Sequence, residues 1–279
     1  MSTASSPTPG GGRAGRNLPV AIGVGVALAV LAVGTLYTVR ELFVALVVLA
    51  VAIAAYEMCG ALRVNGMHVP ITPLVAGSTV MLIAAYADGS DALTIALALT
   101  LVAVAASRFA MPGSELLLRD VAVGGYVVVY LPLLASFAMV MLAEPDGPDR
   151  LVVFIFAVVL SDTGGLTAGV LFGRHKMSPK VSPKKSWEGL AGSFAFAMVG
   201  TALSFPLLLH GRWWQGVLIG AVVVLTATLG DLAESLLKRD LGIKDMGHLL
   251  PEHGGVMDRL DSLLPTAPVV ALLFAATIG

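Results

Sequence analysis

Apolar stretches long enough to cross a lipid bilayer follow one another along most of this 279-residue sequence, near residues 18–39, 42–62, 69–86, 92–106, 121–142, 151–171, 190–209, 214–237 and 264–278. Most approach the ~20 residues that a helix needs to traverse the hydrocarbon core, allowing for tilt, and the fourth and ninth are the shortest. Composition points the same way. Only 13% of residues are charged and 57% are hydrophobic, whereas a soluble domain carries about 25% charged residues. Such an apolar excess is what lipid-facing surface demands. The expected fold is therefore all-α, a polytopic integral membrane bundle of about nine transmembrane helices.

Residues 1–17 are rich in Ser, Thr, Pro and Gly and have nothing to bury, which predicts a disordered tail. The first apolar stretch outruns the usual ~7–15-residue core of a cleaved signal, so an uncleaved helix is expected. The single cysteine, Cys59, lies in an apolar run and reads as a small buried hydrophobe.

Net charge is −1 and by itself says nothing of partners, but the cations are unevenly spread. With the N-terminus cytoplasmic, 14 of the 17 Lys and Arg fall on the cytoplasmic side and only Arg40, Arg150 and Arg212 on the other. That asymmetry predicts the orientation, since loops rich in Lys and Arg stay inside. No internal repeat is evident, which counts against the common inverted-repeat transporter plans.

Two polar stretches interrupt the apolar pattern, 161–189 and 230–261, and the same topology places both in the cytoplasm. In the second, Asp231, Glu234, Ser235 and Lys238 recur at i, i+3, i+4 and i+7, one face of a helix. Acidic groups at the end of a membrane helix are costly unless paired, hydrated or bound to a cation. Further on, Gly254 and Gly255 precede Asp258 and Asp261, another i, i+3 pair, and the glycines let backbone N–H groups approach an anion. With Lys238, Arg239, Lys244 and Arg259 these carboxylates form an alternating-sign cluster. A divalent cation bound to a polyphosphate requires that mixture of hard oxygen ligands and cations. His253 reads equally as phosphate donor, proton carrier or structural loop residue.

In the first stretch Asp162 sits inside an apolar helix, either as a functional acid or as a hydrogen-bond anchor between helices. The loop after it packs Arg174, Lys176, Lys180, Lys184 and Lys185 around Pro179 and Pro183. Spacing alone leaves it open between a topology signal, an anionic-lipid contact and a phosphate-binding loop. Glu57, in the second apolar segment, reads as a packing or interhelix hydrogen-bonding group rather than a catalyst.

The run from Ser235 to Asp261, SLLKRDLGIKDMGHLLPEHGGVMDRLD, closely resembles the signature of the phosphatidate cytidylyltransferases, with about a dozen fixed positions in 27 residues. A second landmark of that family is similar to Ser161-Asp162-Thr163 together with the loop from Gly173 to Gly189, and a weaker one to Tyr56-Glu57. These motifs occupy mainly the C-terminal 40% or so of the chain, while the first 150 residues match in hydropathy.

The resemblance implies cytidylyl transfer from CTP to phosphatidic acid, Mg²⁺ dependence with K⁺ as a companion ion, and a homodimer in the cell membrane. It gives no role to nucleic acid. It divides the chain into an N-terminal transmembrane region, 18–150, and a catalytic region, 151–279, with cytoplasmic loops 172–189 and 238–262. Carried onto this sequence, it makes Asp231, Asp258, Asp261 and Glu234 metal-binding candidates. Lys238, Arg239, Lys244, Asp245, His253 and Arg259 join Asp231 as catalytic candidates. Asp162, Lys180, Ser182, Lys184, Lys185, Ser186, Ser235, Gly254 and Gly255 become candidates for holding substrate.

The residues themselves suit this chemistry. The attacking phosphate is already anionic at neutral pH, so positioning and charge neutralisation matter more than a strong base. A CTP-dependent lipid-alcohol kinase or an archaeal ether-lipid synthase would share the plan. An ion-coupled transporter would instead need charges at mid-bilayer on several helices, and a lipid-binding scaffold leaves the acidic pairs without purpose.

Overall fold

The computed structural model describes residues 18–110, 116–179, 181–247 and 254–278. The tail 1–17, Lys180 and His253 lie outside the described residues. The helices are α1 (Leu18–Thr38), α2 (Arg40–Val64), α3 (Ile71–Ala110), α4 (Leu117–Val128), α5 (Leu134–Ala143), α6 (Gly147–Phe172), α7 (Trp187–Leu209), α8 (Trp213–Asp240), α9 (Met257–Leu260) and α10 (Leu263–Thr277). A short hairpin, β1 (Lys176–Ser178) and β2 (Ser182–Ser186), precedes α7. The all-α membrane architecture is as expected.

Among the described residues seven helical stretches are long and apolar enough to cross a membrane, where the sequence suggested nine segments. The difference has two sources. Segments 69–86 and 92–106 both belong to α3, whose 40 residues would run about 60 Å if straight. It is not straight: Gly89 takes φ 72° and ψ −150° inside it, a conformation that glycine adopts readily. The chain folds back there, and Gly77 of one arm lies directly against Thr100 of the other. The other segment is α1, a 21-residue helix over Leu18–Thr38 in which Gly25–Thr38 forms a shorter apolar stretch.

The α4–α5 span contains one wide turn, Val129–Leu133, around Pro132. Proline has no N–H to donate and its ring crowds the preceding carbonyl, so the helix widens locally instead of breaking. Where α6 meets α7, small residues bring the backbones together. A Cβ added at Gly164 would lie 2.5 Å from the Gly192 carbonyl oxygen, and Ser193 Oγ donates to Ser161 O at 2.7 Å. Interhelical contacts of this kind hold membrane helices where no hydrophobic drive separates helix from lipid.

Polar contacts sort the two ends of the bundle. At one end Tyr37 Oη donates to Asp149 Oδ1 at 2.5 Å, Arg40 donates to the carbonyls of Glu144 and Pro145, and Gln215 Nε2 donates to Thr277 O at 2.9 Å. At the other, Asn65 Nδ2 donates to Leu241 O at 3.1 Å. There Arg108 Nε also meets Asp120 Oδ2 at 3.0 Å, both side chains buried. Arg40, Arg150 and Arg212 collect at the first end, while the basic hairpin and the C-terminus of α8 lie at the second. Cys59 is buried, as expected of a small hydrophobe.

Candidate functional site

The C-terminal half of α8 is the spine of the site. Gly230, just before Asp231, lets the start of α10 and the residue leading into it come close: a Cβ there would collide with Pro265 Cγ and stand 2.5 Å from Asp261 O. The face inferred from spacing is real, but its members do different things. Asp231 Oδ2 receives Lys185 Nζ from β2 at 2.7 Å, and the same ammonium reaches Thr228 O at 3.4 Å. Glu234 is almost wholly buried. Lys238 Nζ bridges it to Asp258, 2.8 Å from Glu234 Oε2 and 2.8 Å from Asp258 Oδ1.

Asp258 and Asp261, a matched pair in the sequence, are in different environments. Asp258 Oδ2 accepts Gly255 N at 2.9 Å and Met246 N at 3.1 Å, while Oδ1 takes Lys238, so both its oxygens are engaged. Asp261 Oδ1 accepts Ser262 N at 2.7 Å, and its carboxylate comes within hydrogen-bonding reach of Glu234. Glu234 Oε1 is buried and meets no donor. Two acids facing each other with an unsatisfied buried oxygen need a proton or a cation between them.

Two cavities flank this core. One, of about 300 Å³, is walled by α6, the hairpin, α7 and α8, with Asp162, Lys184, Lys185 and Asp231 on its polar side and Leu166, Met177 and Leu190 on its apolar side. The other, of about 710 Å³, lies between β2 and the loop after α8 and is lined by Ser182, Lys184, Ser235, Lys238, Arg239, Lys244 and Asp245. Lys184 faces both. The hairpin is thus a shared wall, pinned by Lys185 on Asp231 and by the β1–β2 pairing of Lys176 with Ser186 and Ser178 with Ser182.

A scan against family models matches the cytidylyltransferase family over residues 19–277. The chain belongs to the cytidylyltransferase family. It is 43% identical over 272 residues to the phosphatidate cytidylyltransferase of Mycobacterium leprae, covering 92% of this chain and 87% of that one. It is 38% identical over 267 residues to the protein of the same name from Mycobacterium bovis, covering 91% and 87%. Over a shorter stretch, 130 residues and 44% of this chain, it is 38% identical to the Haemophilus influenzae phosphatidate cytidylyltransferase.

In this cytidylyltransferase most of the residues singled out by sequence converge. Asp162 opens onto the smaller cavity and interacts electrostatically with Asp231, Lys185 and Arg259. Ser235, Arg239, Lys244 and Asp245 line the larger one, and Ser182 faces them across it. Ser186 borders the smaller cavity, but its Oγ also caps α7 by accepting Gly189 N at 3.1 Å. Gly254 has φ 80°, and the N–H of Gly255 is given to Asp258. Among the described residues no three His, Cys, Asp or Glu converge into a ready-made metal cage.

Two residues escaped the sequence reading. Tyr130, on the wide turn, has a buried hydroxyl with no partner and interacts electrostatically with Asp231, Glu234 and Asp261. Its only sequence signal is Pro132 two residues on, in an otherwise ordinary apolar span. His175 Nδ1 pairs with Glu188 at 2.6 Å and ties the hairpin entry to α7. Nothing in the residue pattern marks it, because the pairing depends on the hairpin.

Proposed function

We propose that this protein transfers the cytidylyl group of CTP to phosphatidic acid, yielding CDP-diacylglycerol and pyrophosphate, and that the two cavities meeting at Lys184 hold the two substrates. The observation that carries this reading is that one charged core is flanked by a cation-rich chamber on one side and a half-apolar chamber on the other. The larger chamber, with Lys184, Arg239 and Lys244, suits a triphosphate. The smaller suits a lipid headgroup whose acyl chains leave past Leu166 and Leu190.

In the reaction a phosphate oxygen of phosphatidic acid bonds to the α-phosphorus of CTP as the bond from that phosphorus to the β-phosphate oxygen breaks. The nucleophile needs no deprotonation by the protein, so the work is alignment of two anions and stabilisation of charge on the departing pyrophosphate. Lys184 contacts both chambers and offsets the repulsion between substrates. Arg239 and Lys244 take up charge on the leaving group. Lys238 is different: held between Glu234 and Asp258, it orders the carboxylates.

The donor set fits Mg²⁺. Glu234, with its orphaned hard oxygen, and Asp261 within reach of the same side chain would hold it, while Asp231, paired with Lys185, would stand beside them. Mg²⁺ typically binds through one or two carboxylates plus substrate phosphates and water, so a closed protein cage is not required. When bound, the ion supplies charge neutralisation on the polyphosphate. Asp258 would serve as the anchor of the loop.

The direct test is purified protein in detergent with radiolabelled CTP, phosphatidic acid and Mg²⁺. A CDP-lipid product supports the proposal; release of CDP with phosphorylation of a lipid alcohol would replace it with the kinase reading. Lys184→Gln should raise KM for CTP or phosphatidic acid about tenfold, the value of one charge-assisted phosphate contact. Lys185→Gln should act chiefly on kcat, because Lys185 engages Asp231. Unchanged KM for both substrates in Lys184→Gln would return the hairpin to a topology signal.

Orientation follows from the asymmetry of cations, which puts the basic end in the cytoplasm. In a Cys59→Ala background, Glu144→Cys should react in intact cells with a membrane-impermeant maleimide. Lys176→Cys should react only after permeabilisation. Labelling of both from outside would overturn this orientation. The homodimer implied by the resemblance predicts a detergent-corrected mass of two chains, and a single-chain mass would remove it.

A further inference from the structure

Glu57 lies on α2, far in sequence from the charged core, and its carboxylate is buried. It makes no ion pair among the described residues. Instead Oε2 accepts the backbone N–H of Met257, 200 residues away, at 2.9 Å. The carboxylate also presses on two glycines of the loop between α8 and α9. A Cβ at Gly255 would stand 2.6 Å from Glu57 Oε2 and 2.8 Å from Gly247 N, and one at Gly247 would collide with Oε1. Only glycine lets both strands of this loop lie against the same side chain. The carboxylate thus grips the loop at Gly247, at Gly255 and at the first residue of α9.

We infer that Glu57 is the positioning residue that sets the loop, and with it Asp258 and Asp261, in register with the carboxylates of α8. The path is continuous. Gly255, seated on Glu57, donates to Asp258 Oδ2 at 2.9 Å, and Met246, next to Gly247, donates to the same oxygen at 3.1 Å. Asp258 Oδ1 holds Lys238, and Lys238 holds Glu234, the acid that faces Asp261. Glu57 therefore fixes both ends of the segment whose amides orient Asp258, from a helix anchored by buried Val51, Ala54, Ala55 and Met58. It lines neither cavity assigned to the substrates but a third, of about 410 Å³, shared with Tyr56, Met246 and Gly247, and its role is assigned through the loop that it touches. This gives the N-terminal half of the chain a direct part in the site.

The inference rests on the cytidylyl-transfer reading for its kinetic consequence, and its structural consequence is independent of activity. Because the grip consists of one hydrogen bond accepted by Oε2 and the right length, with Oε1 buried and unpartnered, glutamine at this position should serve nearly as well as glutamate, whereas aspartate, one methylene short, should not. The experiment compares Glu57→Gln, Glu57→Asp, Glu57→Ala and Gly255→Ala in the full-length protein in detergent. Hydrogen exchange of the 254–262 segment is followed alongside turnover with Mg²⁺, CTP and phosphatidic acid each varied. Faster exchange is expected in Glu57→Asp, Glu57→Ala and Gly255→Ala, and near wild-type protection in Glu57→Gln. In the same three variants kcat should fall about 100-fold, the effect of displacing reacting groups by roughly an ångström. Half-maximal activation should need several-fold more Mg²⁺, with KM for CTP little changed, and Glu57→Gln should stay within about threefold of wild type.

A merely structural role would lower the melting temperature and leave kcat per folded molecule and the Mg²⁺ requirement alone; that result overturns the inference. So does an aspartate variant that outperforms glutamine, since charge and not reach would then be what matters. If wild type makes no CDP-lipid, the functional reading fails while the exchange data still decide whether Glu57 holds the loop.

Discussion

Asp261→Asn is expected to lower kcat by about 10³-fold or more, on the order of 4 kcal/mol of transition-state stabilisation, while the protein still folds and inserts. Asparagine keeps the shape of the side chain and can keep the hydrogen bond that Asp261 Oδ1 accepts from Ser262 N. What it removes is one of two neighbouring acids, the other being Glu234 with its orphaned oxygen, and with it the hard anionic ligand proposed for Mg²⁺. Removing charge from a crowded acidic pair relieves repulsion, so the melting temperature should hold or rise. Asp258→Asn should behave differently. Its two oxygens accept Lys238 Nζ and the amides of Met246 and Gly255, and an asparagine NH₂ would turn a donor toward one of those donors. An unsatisfied buried donor costs about 1–3 kcal/mol, more beside a charge, so this variant should lose stability as well as turnover. Circular dichroism melts in detergent beside the CDP-lipid assay separate the two cases. Near-normal activity of Asp261→Asn at saturating Mg²⁺ would remove Asp261 from the metal site, and equal melts for both variants would contradict the division of labour between them.

The contrast between these aspartates also shows where the residue pattern stops being informative. Helical periodicity put Asp231, Glu234, Ser235 and Lys238 on one face because that spacing is local to a single helix, and α8 keeps it. The polar gap at 88–91 was legible as a break between two apolar segments, and it coincides with the reversal at Gly89 inside α3. The different fates of Asp258 and Asp261 were not legible. Their i, i+3 spacing is symmetric, and what distinguishes them is that the amides of Met246 and Gly255 both point at Asp258. The hairpin was hidden for another reason. Pro183 and consecutive lysines break the alternation that marks a strand, and β2 is stabilised partly by Lys185 reaching Asp231, 46 residues on. Tyr130 belongs to the same class, since it owes its place to contacts made across the bundle, whereas Glu57 was legible as an interhelix hydrogen-bonding group and only its partner, Met257, was not.

Lys238→Met should be the most destabilising single change in the site. The lysine side chain is 15% exposed and lies between Glu234 at 0% and Asp258 at 6%. Methionine retains the volume and the helix propensity, so packing and α8 itself are preserved. The charge is not. Two buried carboxylates lose their shared cation, and a third acid, Asp261, is within reach of Glu234. Breaking a buried ion pair by removing one partner costs about 3–5 kcal/mol, because the charge left behind has neither water nor counter-ion. For a chain of this size that is a fall of roughly 6–20 °C in melting temperature. Turnover should vanish with it, so activity alone cannot separate instability from lost chemistry. The double variant Lys238→Met, Glu234→Gln can: neutralising one orphaned acid should return at least half of the lost stability, whereas activity should stay absent if Glu234 is a metal ligand. Additive effects of the two substitutions, with no recovery of the melting temperature, would mean that Lys238 and Glu234 are not energetically coupled. A double variant that recovers turnover with stability would show that the pair holds the fold and leaves cation binding to Asp231 and Asp261.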